Sequence, residues 1–223
     1  MPGKNLLTGR GNAVSVANKY YTYFCGGIGP STLNCSVERL DFSNESVSSV
    51  LTAFVPSSDQ PFGTLNLAYA SNPSYGYLAG GGFGSYVSTI LRLDFSSETV
   101  SDNGNRMSIG VYFHTGISGG SYGYFGGGTA PGGIRCVIER LDFSTGSANI
   151  LPGSPYVATD RLTSTESGSC GYFIGGSLSG TPRALRRFNF YTETYSQITN
   201  APTTFSFDVV GSSALSNART API

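Results

Sequence analysis

Short apolar runs that end in glycine alternate along this chain with segments whose polarity changes at every residue. Residues 122–128 read Tyr-Gly-Tyr-Phe-Gly-Gly-Gly, a run typical of a buried strand whose end is crowded by another backbone. Residues 136–143 alternate with a period of two, residues 144–147 form a turn, and residues 148–151 and 157–165 supply two more strands. No helical apolar period persists, so the pattern predicts an all-β chain with four short antiparallel strands per unit.

The chain contains this unit four times. Tyr-x-x-Gly-Gly is followed about fifteen residues later by Arg-Leu-Asp-Phe or, in the last copy, by Arg-Phe-Asn-Phe. The first glycine recurs at intervals of 54, 47 and 48 residues, which indicates one repeat domain whose units stack on each other. We place the units at about 10–60, 61–108, 109–158 and 159–202, with 203–223 as an extra strand and tail. The recurring residues are Gly26, Gly27, Gly80, Gly81, Gly127, Gly128, Gly175 and Gly176, followed by Arg39, Asp41, Arg92, Asp94, Arg140, Asp142, Arg187 and Asn189.

Each recurring residue type admits a functional and a structural interpretation. Arg and Asp two positions apart share one strand face, where a ring of such charges could grip an ion or ligand. We expect instead that Asp caps the following turn and that Arg pairs with this Asp at the rim of the unit. The glycine pairs could cradle a phosphate, but strands rather than a helix follow them, so we expect close-packing sites.

The repeat resembles the kelch motif, in which a glycine doublet follows a Tyr-led apolar strand and an alternating strand ends in a turn. The resemblance implies a kelch-like β-propeller of four four-stranded repeats plus an extra terminal strand. Kelch repeats usually carry a Trp after this turn, whereas this chain contains no Trp. The matching region holds Val47, Val100, Ala148 and Tyr195, so we expect smaller groups to join the blades.

The repeats are also similar to those of virion and tail-fibre proteins of tailed phages, especially phages that infect cyanobacteria. The similarity rests on residues 122–128, 40–47 and 93–100, and it covers roughly residues 20–200. It implies a structural or adhesion component of a phage particle, such as a fibre, spike or decoration protein, assembled in the host cytoplasm and located in the virion. Its partners would be other virion subunits or copies of itself, together with a host surface glycan or protein.

Composition argues against several other classes of function. The 13 basic and 13 acidic residues cancel, and this balance leaves no electrostatic footprint for nucleic acid or a membrane surface. No apolar run reaches the roughly 20 residues that cross a bilayer. The N-terminus lacks the long apolar stretch of a secretory signal, so we expect a protein made without that route, the alternative being a signal that was removed. The cysteines have no metal-ligand spacing, so we expect free thiols, with Cys35 and Cys136 as small packing residues.

We do not expect an enzyme, a cofactor or a metal. His114 is the only histidine, and we interpret it as a half-buried residue with its hydrogen bonds satisfied. No acid pair or nucleophile motif has a spacing suited to catalysis. The tyrosines of loops suit recognition better, because they give flat contacts at low entropic cost. The candidate ligand or interface residues are Tyr20, Tyr21, Tyr75, Tyr86 and Tyr156.

Two questions stay open at this level. The alternative to a phage component is a cellular kelch-type protein-interaction module, which would be cytoplasmic. Residues 204–212 resemble the strand that precedes the first glycine pair, at residues 12–19, so they would begin a fifth unit. Such a strand could clasp the N-terminal segment, cover a four-bladed ring, or add to a neighbouring subunit.

Overall fold

The computed structural model describes residues 5–29, 33–51, 66–82, 85–152, 159–177 and 185–198. These residues form four four-stranded antiparallel sheets and no helix, in a ring like that of a four-bladed β-propeller. The all-β prediction and the prediction of four strands per unit are confirmed. Tyr156 and the strand expected at residues 204–212 lie outside the described residues.

Each sheet, here called a blade, is built from consecutive strands. Blade 1 contains β1 (Val14–Ala17), β2 (Tyr21–Cys25), β3 (Val37–Asp41) and β4 (Val47–Leu51). Blade 2 contains β5 (Ala68–Ser71), β6 (Tyr75–Ala79), β7 (Thr89–Asp94) and β8 (Thr99–Arg106).

The other two blades follow the same order. Blade 3 contains β9 (Thr115–Gly119), β10 (Tyr122–Gly126), β13 (Ile138–Asp142) and β14 (Ala148–Ile150), with the small ribbon β11 (Thr129–Ala130) and β12 (Gly133–Ile134) between its middle strands. Blade 4 contains β15 (Asp160–Glu166), β16 (Cys170–Ser177), β17 (Leu185–Asn189) and β18 (Thr194–Gln197).

This order gives the ring two different faces. One side of the ring, here called the turn face, holds the turns between the first and second strands and between the third and fourth strands of each blade. The latter turns include the Asp or Asn whose side chain caps the turn. The glycine pairs and the loops that follow them lie on the other side, here called the glycine face. The innermost strands β1, β5, β9 and β15 contact one another in succession around the axis.

Among the described residues, the hydrophobic core consists of three layers, one between each pair of successive blades. The first joins blade 1 to blade 2, the second joins blade 2 to blade 3, and the third joins blade 3 to blade 4. Tyr23, Tyr77 and Tyr124, which begin the Tyr-x-x-Gly-Gly segments, are buried in these layers. The repeats therefore bury their apolar residues against neighbouring blades, as a stacked repeat architecture requires.

Aromatic pairs join the outer parts of the blades. The ring of Phe95 stacks on Tyr23 of the preceding blade with 5.4 Å between centroids. Phe143 stacks on Tyr77 at 4.9 Å, and the ring of Phe190 stacks on Tyr124 at 5.7 Å. Val100, Ala148 and Tyr195 pack against the three layers, as expected, and the Phe that follows the turn residue in blades 2, 3 and 4 adds a large group that the sequence did not suggest.

The cysteines are free thiols with different environments. Cys25 and Cys170 are buried, and burial raises the pKa of the Cys25 thiol to about 12. Cys35 is half-buried and Cys136 is exposed. The expectation that both are packing residues is wrong for Cys136, because this residue lies in the loop before β13 rather than in a sheet.

Candidate functional site

The repeated Asp caps the turn that follows it, as the sequence suggests. One carboxylate oxygen of Asp41 accepts hydrogen bonds from the amide and the hydroxyl of Ser43, at 2.8 and 2.6 Å. Asp94 and Asp142 make the same pair of bonds, and the amide oxygen of Asn189 accepts two backbone N–H bonds in blade 4. These bonds hold the pKa of all three aspartates below its usual range.

The expected pairing of Arg with this Asp is wrong. Arg39 instead donates to Glu98, which belongs to the turn of the next blade. Arg140 donates to both carboxylate oxygens of Glu193 in the same way, at 2.9 and 3.0 Å. Because the Asp carboxylate faces the amides of its own turn, Arg39 and Arg140 can reach the neighbouring blade, whereas the Nε of Arg187 donates to Cys170 of its own blade.

The same arginines lie flat over tyrosine rings on the turn face. The guanidinium of Arg39 is 4.5 Å from the centre of the Tyr21 ring, and Arg92 lies equally close to Tyr75. A third pair, Arg140 on Tyr122, has a distance of 4.6 Å. Each of these cation–π contacts covers one face of a tyrosine ring and ties that ring to its own blade.

The glycine pairs are close-packing sites with left-handed backbone angles. A Cβ on Gly80 would lie 2.5 Å from the carbonyl oxygen of Val111, which belongs to the segment that leads into the next blade. A Cβ on Gly27 would lie 2.7 Å from the carbonyl oxygen of Gly11. Both glycines have positive φ, at 65° and 96°, so backbone conformation and space together require glycine there.

The structure separates the candidate tyrosines. Tyr20 is 61% exposed and, like Tyr21 and Tyr75, belongs to a first-to-second strand hairpin on the turn face. Tyr86 is 41% exposed and follows the glycine pair of blade 2, so it lies on the opposite, glycine face. No single site can therefore contain all of these residues.

Tyr86 belongs to a set of stacked side chains near the axis of the glycine face. Its ring stacks on Tyr112 with 5.0 Å between centroids, and Tyr112 meets Phe113 edge to face at 4.8 Å. The guanidinium of Arg161 lies 4.5 Å from the centre of the Phe113 ring. We call Tyr86, Tyr112, Phe113 and Arg161 the axial aromatic cluster. It combines flat ring faces, two phenol hydroxyls and one cation in a continuous surface.

Phe113 and Arg161 occupy a special position of the repeat. Asn12, Asn66, Phe113 and Arg161 are related by the same intervals as the glycine pairs, and each has a positive φ between 52° and 59°. Main-chain bonds link them across the blades: the Asn66 amide donates to Asn12, Phe113 to Asn66, and Arg161 to Phe113, at 3.4, 3.3 and 2.8 Å. Asn tolerates this left-handed conformation, whereas Phe and Arg adopt it at a cost in backbone free energy. The main-chain hydrogen bonds to the neighbouring blades therefore hold Phe113 and Arg161 in this conformation.

Sequence reasoning missed Tyr112, Phe113 and Arg161 as site residues. Their signal was available, because units one and two carry Asn at the axial position and units three and four carry a bulky or charged residue instead. Such a change within a repeat indicates a local role that the shared fold does not require.

A buried carboxylate adjoins the axial aromatic cluster. Asp160 is 5% exposed; one of its oxygens accepts from the Thr129 hydroxyl at 3.1 Å and lies 3.3 Å from the Arg161 guanidinium. Its other oxygen has no hydrogen-bond partner. The carboxylate fixes the position of Arg161 and adds negative charge beneath the aromatic surface.

The expectation for His114 is wrong. The side chain is buried rather than half-buried, and neither ring nitrogen has a hydrogen-bond partner. Burial, with a smaller effect from Arg135, lowers the pKa of His114 to about 3. The side chain fits against two glycines: a Cβ on Gly80 would lie 2.7 Å from Cε1 of the ring, and a Cβ on Gly128 would lie 2.7 Å from the Cβ of His114. His114 is a neutral packing residue near physiological pH.

The comparisons with known proteins add no identification. No protein-family model matches the chain, and no curated protein matches it. Among the described residues, no group of three or more His, Cys, Asp and Glu is placed to hold a metal ion, and no helix is long and apolar enough to cross a membrane. The fold thus defines the class as a β-propeller-like repeat protein.

Proposed function

We propose that this protein is a non-enzymatic structural and adhesion component of a phage particle that binds a host surface glycan through the axial aromatic cluster. The stacked pair of Tyr86 and Tyr112, extended by Phe113 and Arg161, carries the binding half of this proposal. The similarity of the repeats to those of virion and tail-fibre proteins supplies the context of the particle.

The chemistry of the cluster suits a sugar better than a peptide helix or a nucleic acid. Tyrosine rings present a flat apolar face for sugar C–H groups, and their hydroxyls offer hydrogen bonds at the edge. Arg161 contacts Asp160 through one guanidinium nitrogen and keeps other N–H groups that can donate to the oxygens of a sugar. A neutral chain with 12% charged residues gives a phosphate backbone little to hold.

The repeated polar residues of the turn face have structural roles, which leaves the glycine face as the better candidate for binding. Its repeated Asp, Arg and Glu residues cap turns and bridge blades, so their recurrence is explained by folding. The axial position, in contrast, is not repeated: it holds Asn in units one and two but Phe113 and Arg161 in units three and four, as expected of a local binding site. Weak binding at one site would gain strength from many copies on one particle.

A glycan array of bacterial surface polysaccharides, including acidic ones, tests the proposal. We expect the protein to bind a subset of sugars, and Tyr86→Ala to weaken that binding about tenfold or more, which corresponds to about 1.4 kcal/mol. Tyr20→Ala is the matched control, because Tyr20 is more exposed than Tyr86 but lies on the turn face.

The outcomes separate the alternatives. Binding that Tyr86→Ala abolishes and Tyr20→Ala leaves unchanged supports the proposal. Absence of sugar binding, or equal losses for the two variants, refutes it. Capture of one defined cellular protein without any sugar binding would favour a cellular kelch-type interaction module instead.

A further inference from the structure

We propose that blade 1 of one copy docks on blade 4 of a second copy through the contacts that join successive blades within the chain. Two faces meet at every internal junction. The leading face belongs to the later blade and inserts a Phe, and in two cases also a Glu. The receiving face belongs to the preceding blade and offers a Tyr and an Arg. Three junctions are recorded among the described residues, and each has its own core layer. Within the part of the chain that the structure describes, the leading face of blade 1 and the receiving face of blade 4 take part in no such junction.

The unused leading face is on blade 1. Phe42 corresponds to Phe95, yet it is 48% exposed where Phe95 is only 8% exposed. Glu45 is exposed and has a φ of 54°, the same left-handed conformation as Glu98 and Glu193, which bridge blades.

The inner part of this face is also less covered than its counterparts. Phe24 and Leu40 are half-buried, although the equivalent residues in the other blades are almost fully buried. Those equivalents are Leu78 and Leu93 in blade 2, Phe125 and Leu141 in blade 3, and Phe173 and Phe188 in blade 4.

The unused receiving face is on blade 4. Tyr172 is paired with Arg187 across β16 and β17, in the same register as Tyr23 with Arg39 in blade 1. Tyr172 is half-buried where Tyr23 is fully buried. Arg187 is exposed, and its Nε donates to the Cys170 sulfur at 2.9 Å rather than to a carboxylate.

The leading face of blade 1 and the receiving face of blade 4 are complementary in their aromatic groups and in their charges. Phe42 matches the Tyr172 ring, and Glu45 matches the Arg187 guanidinium, as Phe190 and Glu193 match Tyr124 and Arg140 inside the chain. A second copy is the occupant that carries the required face with the required residues. Because the contact joins two different faces, it generates closed rings or open chains of copies rather than a twofold dimer with a shared patch.

Sedimentation velocity from low to high micromolar concentration tests this inference. We expect the wild type to form oligomers, and Phe42→Ser or Arg187→Glu to weaken association about tenfold or more. Equal amounts of the two variants should form heterodimers, because one retains a receiving face and the other a leading face. Ile150→Ser is the matched control, since Ile150 is 46% exposed on the outer strand of blade 3.

A charge exchange makes the test specific. Glu45→Arg alone should weaken association, and combining Glu45→Arg with Arg187→Glu in one chain should restore it. A wild type that stays monomeric throughout overturns the proposal, as does association that these variants leave unchanged. A monomer that Phe42→Ser destabilises to heat would also overturn it, because blade 1 would then close on blade 4 of the same chain.

Discussion

His114 should make the stability of this protein fall as the pH is lowered from 6.5 to 4.5. The folded protein holds the ring in a site without hydrogen-bond partners, where burial lowers its pKa to about 3. In the unfolded chain the pKa of histidine is about 6.5. Between these values the unfolded state binds a proton that the folded state does not, so folding loses stability with each unit of acidification.

The size of this effect follows from the two pKa values. Stability should fall by roughly 2–3 kcal/mol between pH 7 and pH 4.5, with the full slope reached only below the unfolded pKa. The capping aspartates contribute little to this change. Their pKa values are lowered in the folded state, so their contribution is present above the ordinary carboxyl pKa and is lost only as the pH falls further.

Urea unfolding followed by circular dichroism at pH 7 and pH 4.5 measures the effect. His114→Leu should keep its stability at pH 7 to within about 1.5 kcal/mol, because no hydrogen bond of the ring is lost and the volume is similar. It should lose most of the pH dependence in this interval. If the variant and the wild type lose equal stability on acidification, the ring is not the buried neutral group described above.

Three further predictions concern the blade junctions and turns, each measured by urea unfolding at pH 7. Phe95→Ala should cost about 3 kcal/mol, because it empties the space against Tyr23; a cost below about 1 kcal/mol would contradict the junction. Gly116→Ala should cost about 2–3 kcal/mol because its Cβ would overlap the Tyr69 backbone, whereas Gly168→Ala, which has open space, should change stability by less than about 0.5 kcal/mol. Asp94→Ala should cost about 1 kcal/mol and Asp94→Asn clearly less, since Asn keeps the capping oxygen; equal costs would refute the capping role.

The repeat made the fold predictable because it reports on geometry that every blade shares. The spacing of Gly26 and Asp41, copied through the chain, reflects a strand that ends against another backbone and a strand that ends in a capped turn. Period-two polarity located the strands to within a few residues, as with β13 inside the stretch at 136–143.

The partners of the repeated side chains were not predictable in the same way. Residues two apart on a strand share a face, which made Arg39 and Asp41 seem a pair, but the partner of Arg39 is Glu98, fifty-nine positions away. That contact depends on how two blades approach each other, and a single unit carries no information about this approach. The packing role of Phe95 was missed for the same reason.

The axial aromatic cluster lay outside prediction because its members come from three segments. Tyr86 was recognised as an exposed loop tyrosine, but its stacking on Tyr112 requires the loop of blade 2 to meet the segment that leads into blade 3. His114 shows the opposite failure. A lone histidine suggests partners for its nitrogens, whereas here both nitrogens are buried without a partner and the side chain packs against Gly80 and Gly128.

The measurement that tests the central claim most directly is NMR mapping of a bound sugar on the isotopically labelled protein. The ligand would be the polysaccharide fragment that binds most strongly on the glycan array. The account predicts that the largest shift changes fall on Tyr86, Tyr112, Phe113 and Arg161, with the turn face unchanged. Shift changes centred on Tyr20 and the arginine–tyrosine pairs of the turn face, or no specific changes at saturating sugar, would contradict it.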